Sequence, residues 1–563
     1  MLPLLSDLGL TMCFQPEKDL DQVRSRRLEF IASNDLPDES ELPIVRELLT
    51  GALHQLDAID ETISLVRTVR ELLVQTLDDH DIADEVAAPR IRATPKTLSN
   101  LRDARLARVT RFRVALAPHK KVPPEILANI FVEACENRPL SLPPHNRTRP
   151  WAISQVCARW RQVALNEPRL WNDLSVTTNR KLGDPFPARM HDVFSRSAGT
   201  GISLKIDRSA YRDAHVEATV ISDTILPHLN LFRHLDLTFP SSHFSCILSS
   251  APGLVDSLES VRLNLEQPTS NPYKPFEKAI AVFAGARSLR RIEIRASRGR
   301  GHWLPITWSL FDVPWAQLTH LCLGPGVMVT IPMAHDVLQH SSQLVDCMLC
   351  LLVSVPVWFF GSVPSSGDGD IPPIVSPSLA SLKVYFSSIP SLEEFLEPLV
   401  LLSLTKLVAQ GALYHEAQAE LASFIRRSAC SITSIKLPEQ GSHKLPVNEK
   451  LLEELPLLVE LDAECLLFTK PTLERISRRQ LVPRLEILHC YVESPGSFVD
   501  MLECRVPGLK HSVGYPRSGF WVARAGYNNS ASRSIYAAAC HRLEKLEKED
   551  EEYLSLWLDR GDN

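Results

Sequence analysis

Apolar residues between positions 42 and 77 recur at alternating steps of three and four, which is the spacing of one helix face. About five heptads of this kind predict a long helix whose seam buries itself against another helix. The partner helix belongs either to the same chain or to a second copy, as a homodimer through residues 42–77, and the pattern leaves both open. Only Arg70 interrupts the seam. Its residues are Leu42, Val45, Leu49, Ala52, Leu56, Ile59, Ile63, Val66, Leu73 and Leu77.

A second helix with one apolar stripe and a basic back is predicted within residues 90–121. This stretch holds ten Lys or Arg and one acid, Asp103. A basic helix can bind phosphates, but no aromatic residues interleave with these charges, so we do not expect a nucleic-acid site. The stripe consists of Leu98, Leu101, Leu106, Val109 and Phe112.

The densest cluster of apolar and aromatic residues at helical spacing lies in residues 122–171. Pro123-Pro124-Glu125 predicts a helix start, because proline fits the first turn and an early acid complements the helix dipole. A second helix is predicted from Trp151 to Pro168, after which Leu170-Trp171 packs back. Helices this short bury little surface alone, so they need a partner surface or form a cap on the next domain. The first helix carries Ile126, Leu127, Ile130, Phe131 and Ala134 on one stripe, and the second carries Ile153, Val156, Cys157, Trp160 and Ala164.

Beyond residue 180 the template Leu-x-x-Leu-x-Leu, with other apolar or small residues allowed, recurs ten times at intervals of 25 to 35 residues. Stretches with helical spacing lie between the copies, at residues 275–286, 414–428 and 471–480. Strand plus helix at this period predicts units that bury their apolar sides by stacking. A non-repeating α/β domain is the alternative. The copies start at Phe232, Leu258, Leu289, Leu318, Leu344, Leu379, Leu404, Ile432, Leu458 and Leu485, and a decaying eleventh starts at Leu509.

If the copies form a solenoid, the residue between the last two apolar positions of each copy faces its concave side. These ten residues mix both charge signs with apolar groups, so we expect the ligand of this surface to be a protein. They are Asp236, Arg262, Glu293, Cys322, Met348, Lys383, Val408, Lys436, Asp462 and His489. The candidate target-binding residues among them are Arg262, Glu293, Lys383, Lys436, Asp462 and His489.

Bulk composition narrows the class of protein further. A net charge of −6 gives no general attraction to nucleic acid or anionic lipid. The 12 cysteines are scattered, several of them in apolar stretches, which favours a reduced intracellular chain in the cytoplasm or nucleus. The first ten residues lack a basic segment, so we expect no signal peptide. The apolar stretch 347–363 is divided by Pro356 and falls short of the ~20 residues a bilayer needs, so we expect no membrane span.

Catalytic motifs are missing from the sequence. Neither a phosphate-binding GxxxxGK[ST] loop nor a GxSxG elbow occurs. His415-Glu416 begins like a zinc-protease helix, but Ala419 stands where the second histidine would have to be. Cys347 and Cys350 have the spacing of a metal knuckle without a second pair, and we interpret them as core. We therefore expect a non-enzymatic protein with no cofactor and no metal.

The residues of the central stretch resemble the F-box. The resemblance rests on Pro-x-Glu-Ile-Leu-x-x-Ile-Phe from Pro123, Val-Cys-x-x-Trp-Arg-x-Val-Ala from Val156, and Leu170-Trp171. The junction at residues 116–125 is similar to that of fungal F-box-like proteins, in which a coiled coil leads into the motif. One departure is the insert at residues 137–149, which is longer than the usual gap and leaves open a degenerate F-box.

The resemblance implies a three-helix module that docks a Skp-type adaptor and, through it, a cullin–RING ubiquitin ligase. Some of its apolar docking positions must instead form the module's own core, and the sequence does not separate the two groups. The matching residues are Val122, Pro123, Ile126, Leu127, Ile130, Phe131, Val156, Cys157, Trp160 and Trp171.

The resulting architecture is α plus α/β. We expect a helical or coiled-coil segment at residues 1–115, a three-helix F-box at 116–178, an irregular leucine-rich-repeat solenoid at 179–525 and a helical acidic tail at 526–563. Residues 541–557 predict an amphipathic helix that covers the last repeat. The expected function is that of a ubiquitin-ligase substrate receptor, and a non-ligase scaffold that dimerises through its coiled coil is the alternative.

Overall fold

The structure is a computed structural model. It describes residues 39–77, 87–117, 121–135, 138–142, 150–177, 186–197, 199–207, 221–240, 253–266, 282–296, 304–305, 313–324, 326–352, 372–386, 392–410, 415–438, 444–505, 522–527, 533–549 and 555–560. The chain divides into two compact units, Met1–Asp173 and Leu174–Asn563. No helix within these described ranges is long and apolar enough to cross a membrane.

The first unit is mainly helical. Its long helices α1 and α2 pack side by side and antiparallel, because the start of α1 shares a buried cluster with the end of α2 that includes Val45, Leu56 and Phe112. Its elements are α1 (Leu42–Leu77), α2 (Ala87–Ala115), α3 (Pro124–Cys135), β1 (Leu140–Leu142), α4 (Trp151–Ser154), α5 (Ala158–Asn166) and a 3₁₀ turn (Pro168–Leu170).

The first half of the predicted seam of α1 is therefore covered within the chain. Val45, Ala52, Leu56 and Ile59 are buried, and the side chains of Leu73 and Leu77 lie outside the described residues. A homodimer through residues 42–77 stays a prediction. The stripe predicted for α2 is wrong at Leu106, which is 39% exposed, because the buried face turns through Val109 and Phe112 instead.

The second unit contains a large parallel sheet, a separate two-stranded parallel sheet formed by Ile374–Ser376 and Leu399–Leu401, and helices between the strands. Its strands are β2 (Asp173–Thr177), β3 (Ile202–Asp207), β4 (Phe232–Pro240), β5 (Ser260–Glu266), β6 (Arg291–Ala296), β7 (Leu304–Pro305), β8 (His320–Leu323), β9 (Val327–Thr330), β10 (Asp346–Leu352), β11 (Ile374–Ser376), β12 (Ser381–Phe386), β13 (Leu399–Leu401), β14 (Lys406–Gln410), β15 (Ser434–Lys436), β16 (Leu445–Pro446), β17 (Glu460–Phe468), β18 (Ile487–Val492), β19 (Val522–Tyr527) and β20 (Ser555–Arg560). Its helices are α6 (Phe186–Arg196), α7 (Ile331–His340), α8 (Leu392–Leu396), α9 (His415–Ser428), α10 (Glu449–Glu453), α11 (Lys470–Ser477), α12 (Pro495–Arg505) and α13 (Arg533–Glu549).

Each of the ten sequence templates forms a strand, and the strands pair in chain order with constant register. The residue two positions after each template start lies opposite its counterpart in the next strand, for example His234 opposite Ser260 and Glu460 opposite Ile487. All nine pairings are parallel. The first apolar residue of every template is at most 1% exposed. The template therefore marks the core side of this sheet.

The helices between the strands follow two of the three predictions. α9 and α11 occupy the stretches predicted at residues 414–428 and 471–480. The third stretch lies mostly outside the described residues, and its described end, residues 282–286, is a turn and not a helix.

The C-terminal tail differs from its prediction. A helix is present, but it spans Arg533–Glu549, and Trp557 lies on β20. β19 and β20 extend the parallel sheet at the same register, and the decaying template at Leu509 lies outside the described residues. The helix α13 is held against α12 by Arg542, which donates to Glu503 at 2.9 Å and to Asp500 at 2.7 Å.

Candidate docking surfaces

The helices α3, α4 and α5 share a small aromatic core. Leu127 and Phe131 of α3 are each 2% exposed, and Trp171 is fully buried. The rings of Phe131 and Trp160 are 4.9 Å apart, and Trp171 meets Trp151 edge-on at 5.0 Å. Aromatic contacts of this geometry add to the free energy gained from apolar burial. These aromatic side chains therefore form a core that belongs to the module itself.

The single helix predicted from Trp151 to Pro168 is wrong, because the chain breaks between α4 and α5. Cys157 has an extended backbone, with φ −156° and ψ 170°, and its Sγ accepts a hydrogen bond from the backbone N–H of Trp160 at 3.4 Å. The cysteine thus caps α5, a role usually taken by Ser, Thr, Asp or Asn. Val156 is consequently outside any helical stripe and is 47% exposed.

The structure separates the ten predicted adaptor-docking residues into three groups. The core residues cannot contact a partner without unfolding, so seven positions are available for docking. The core group is Leu127, Phe131 and Trp171. The half-buried group is Val122, Cys157 and Trp160, and the exposed group is Pro123, Ile126, Ile130 and Val156.

An exposed apolar surface remains on α3. Ile126 and Ile130 are one helical turn apart on the same face, and each is 49% exposed. The start of α3 is fixed to α5 because Arg159 donates to the carbonyl of Val122 at 2.5 Å. The 3₁₀ turn also contacts α3, because Arg169 of the turn donates to Asn129 of α3 at 2.9 Å. Val156, which lies before α5, is exposed as well, and we name these three side chains, Ile126, Ile130 and Val156, the aliphatic surface.

The insert at residues 137–149 is partly ordered secondary structure. Residues 140–142 form β1, in which Leu140 and Leu142 are each 1% exposed. Residues 143–149 lie outside the described ranges. The described part of the insert therefore contributes buried side chains, so it is more than a surface loop.

On the sheet, the ten outward-pointing template residues lie in one row. Register places Asp236, Arg262, Glu293 and Cys322 opposite one another in sequence, and the row continues to His489. None of the ten is buried, whereas the residues on both sides of each one in its strand are. We name these ten residues the outward row, and their position on the concave side of a solenoid stays a prediction.

Ion pairs occupy the N-terminal end of the outward row. Arg262 donates to Glu293 at 2.6 Å and to Asp236 at 3.3 Å, and Arg295 pairs with Glu293. Burial raises the pKa of Asp236, although Arg262 and Lys205 act in the opposite direction. Such half-exposed pairs are each worth no more than about 1 kcal/mol of folding free energy. Their charges are largely matched to one another.

The C-terminal end of the row carries a second charged group. Lys436 pairs with Glu460 at 2.5 Å, and Ser434 donates to the same carboxylate at 2.6 Å. Burial would raise the pKa of Glu460, but the hydrogen bonds from Lys436 and Ser434 outweigh it and lower that pKa. His489 Nδ1 lies 4.0 Å from Asp462. Sequence reasoning missed Glu460 and Arg295, which lie two residues from the outward row on the same face of their strands.

The middle of the outward row is mainly apolar. Cys322 Sγ lies 3.4 Å from Met348 Sδ, and Val408 follows two strands later. Lys383 stands between Met348 and Val408 and forms no hydrogen bond or ion pair within the described part of the chain. An apolar centre between two internally paired charged ends is a surface suited to another protein.

The other residues considered for metal binding or catalysis lie in the core or outside the described residues. Cys347 is fully buried and Cys350 is 3% exposed, as the sequence interpretation expected, and burial raises the pKa of Cys347 far above its usual range. The side chain of His415 lies outside the described residues. Among the described residues, no three His, Cys, Asp or Glu converge as a metal cluster.

No protein-family model matches the chain, and no curated protein is significantly similar to it. What the molecule does must therefore be inferred from its own residues. Two surfaces stand out in the described parts of the two units, namely the aliphatic surface of the helical module and the outward row of the sheet. Both present side chains that can bind a protein.

Proposed function

We propose that the chain is a substrate receptor of the F-box class. In this proposal the module at residues 116–178 docks a Skp-type adaptor of a cullin–RING ubiquitin ligase, and the sheet holds a protein target. The observation that carries the proposal is the aliphatic surface. Ile126, Ile130 and Val156 stay 47–49% exposed although the aromatic core of the module is complete without them.

The magnitude of apolar burial supports a docking role for these side chains. Removing apolar surface from water contributes about 25 cal/mol per Å², so an isoleucine that is half exposed retains a substantial part of its burial energy for a partner. Binding energy at protein interfaces is concentrated in a few such central apolar residues. Three of them on one small module suit a helical adaptor surface.

The parallel sheet supports the second half of the proposal, an irregular leucine-rich-repeat solenoid. Successive template copies start 25–35 residues apart, yet the strands that they form pair at equivalent template positions. Stacked units with variable connections and one repeating strand are the pattern of repeat proteins, which use extended surfaces to bind partners. The outward row is the surface we assign to the target.

Catalysis in this proposal belongs to the partners. The chain contributes proximity, because a target held on the same molecule as the ligase has a raised effective concentration near the reactive ubiquitin thioester. The charged ends of the outward row would orient the target, and its apolar centre would supply affinity.

The test is adaptor binding by the full chain with single substitutions. Ile126→Asp and Ile130→Asp each place a charge on the aliphatic surface without touching the core, and we expect each to weaken adaptor binding at least tenfold. Leu402→Asp is the matched control, since Leu402 is 51% exposed in the other unit. Thermal unfolding of all three variants should resemble that of the wild type. If Ile126→Asp and Ile130→Asp bind a Skp-type adaptor as the wild type does, the proposal fails.

A second candidate function is a scaffold with a degenerate F-box that dimerises through α1. One observation favours it. Leu65, Val69 and Leu72 have helical spacing on α1 and are 46%, 41% and 55% exposed. Light scattering distinguishes the candidates, because the scaffold requires a dimer that Val69→Asp dissociates. A monomeric wild-type chain that binds adaptor would reject it.

A further inference from the structure

Two histidines meet at the edge of the second unit, away from the outward row. His191 lies on α6, and His228 lies on a 3₁₀ turn (Leu226–Leu231) that precedes β4. His191 Nδ1 and His228 Nε2 are 3.3 Å apart, and the ring planes are inclined by 59°. Neither ring faces a carboxylate partner at hydrogen-bond distance in the described structure.

The distance between the two nitrogens matches a shared metal ion. The two nitrogens, 3.3 Å apart, are within hydrogen-bond distance of each other. Two nitrogens on one tetrahedral zinc, each about 2.05 Å from the ion, lie about 3.3 Å apart. Little rearrangement would therefore be needed to seat an ion between them.

The tautomer of His228 is fixed by its second nitrogen. His228 Nδ1 lies 3.0 Å from the backbone carbonyl of Thr224. A carbonyl oxygen only accepts hydrogen bonds, so Nδ1 carries the hydrogen and Nε2 presents a lone pair toward His191. A histidine that binds a metal ion through one ring nitrogen usually donates its other ring N–H to a carbonyl, a carboxylate or water.

Aromatic side chains pack against the pair on one side, and solvent reaches it on the other. Phe194 packs against the His228 ring at 5.1 Å and against Phe232 at 5.5 Å. His191 is exposed and His228 is half-buried, so water or a group from a bound molecule can occupy further coordination positions.

We infer that His191 and His228 form a binding site for a divalent transition-metal ion of the zinc class, with two imidazole ligands and the remaining positions open to solvent. Imidazole nitrogen suits zinc and copper better than magnesium or calcium. When the ion binds, His191 presents Nδ1 as a lone pair and keeps its hydrogen on Nε2, so neutral imidazoles release no proton. This site is independent of the proposed docking function.

The test is zinc binding by the full chain after chelator treatment, measured by calorimetry at pH 7.5. We expect the wild type to show a binding event that His191→Gln and His228→Gln each weaken at least about tenfold, since even outer-shell changes at metal sites cost 10–100-fold in affinity. His340→Gln is the matched control, because His340 is 60% exposed and pairs with Asp336. It should leave the event unchanged.

A second measurement keeps the inference falsifiable if a variant is less stable. Copper(II) added to the wild type should give an electron paramagnetic resonance spectrum with coupling to two imidazole nitrogens, and His228→Gln should reduce this to one. Zinc titrations that are the same for the wild type and the double variant His191→Gln/His228→Gln would overturn the inference. In that case the two rings form a hydrogen bond only.

Discussion

The indole Nε1 of Trp171 donates a hydrogen bond to the backbone carbonyl of Ala164 at 2.7 Å. Ala164 lies in the last turn of α5, where carbonyls lack partners within the helix. Both residues are fully buried, so water cannot replace the bond. One side chain thus completes the end of α5 and, through its edge-on contact with Trp151, fixes α4 as well.

Replacing Trp171 with Phe should therefore destabilise the helical module. The variant loses the only donor of the indole and part of its volume, which leaves the Ala164 carbonyl unsatisfied and a small cavity. We expect a loss of about 2–4 kcal/mol, measured by urea unfolding of the full chain. Ile130→Ala is the control, because an exposed truncation should change stability by less than about 0.5 kcal/mol. Equal stability of the two variants would contradict the assignment of Trp171 to the core.

Arg505 stabilises the turn between α11 and β18. Its guanidinium is 2% exposed and donates to the carbonyls of Ile476, Val482 and Leu485, each at 3.1 Å. Burial lowers its pKa to about 10, so it remains charged at neutral pH. In this turn Val482 has a positive φ of 39°, which is unfavourable for a branched residue.

We expect Arg505→Leu to cost about 3 kcal/mol or more, since three carbonyls each lose a charged donor at once. Arg505→Lys should rescue little, because one ammonium cannot reproduce the planar arrangement of donors. Arg484→Leu is the matched control on an exposed arginine of the same turn. Chemical denaturation monitored by circular dichroism measures all three, and a rescue by lysine would refute the role assigned to the guanidinium.

Two glycines with the same backbone angle allow backbone strain to be separated from steric conflict. Gly326 and Gly253 both have φ +89°. A Cβ at Gly326 would lie 2.4 Å from the carbonyl oxygen of Ala296, whereas one at Gly253 would meet nothing within 4 Å. We expect Gly253→Ala to cost about 1–2 kcal/mol from the left-handed backbone alone. Gly326→Ala should cost roughly 1–3 kcal/mol more from overpacking, and similar melting temperatures for both variants would contradict this.

His335 gives the second unit a pH-dependent stability term. It is 5% exposed, and its Nε2 donates to the carbonyl of Phe395 at 2.9 Å. Burial lowers its pKa, and this outweighs the opposing effects of the Phe395 carbonyl and Glu394. Below an unfolded pKa of about 6.5 the unfolded chain binds a proton that the folded chain does not. Stability from this residue is therefore present above that pH and is lost as the pH falls toward the lower folded pKa.

The measurement is the difference in unfolding free energy between the wild type and His335→Asn at several pH values. We expect the wild type to have its largest advantage near pH 7.5 and a smaller one at pH 5.0. An advantage that does not change between these values would mean that His335 is not kept neutral by the fold.

Ten strands of the second unit were predictable from sequence, because they follow a template with side-chain period two. The apolar template positions mark the core face, and every one of the ten copies forms a strand. The tail was harder. Tyr553, Leu556 and Leu558 fit the template spacing of a strand, but the dense acids before them favour a helix in a local reading, and only pairing with β19 decides the outcome.

The candidate docking residues could be proposed from sequence but not sorted. Ile130 and Phe131 are neighbours in one apolar stripe, yet one is 49% exposed and the other 2%. Their difference depends on where Trp160 and Trp171 lie, which is a tertiary fact. The helix break at Cys157 was hidden for a similar reason, since cysteine is an unusual helix cap and its neighbours keep helical spacing.

The shared register of the ten template strands fixes the length of the outward row. Neighbouring strands are about 4.8 Å apart, so the nine steps from Asp236 to His489 span about 43 Å along the sheet. An extended peptide covers this length with about 13 residues at roughly 3.3 Å each. Insertions in the connections between strands leave the spacing of the row unchanged, so the chain can vary in length between template strands while the length of the row stays fixed.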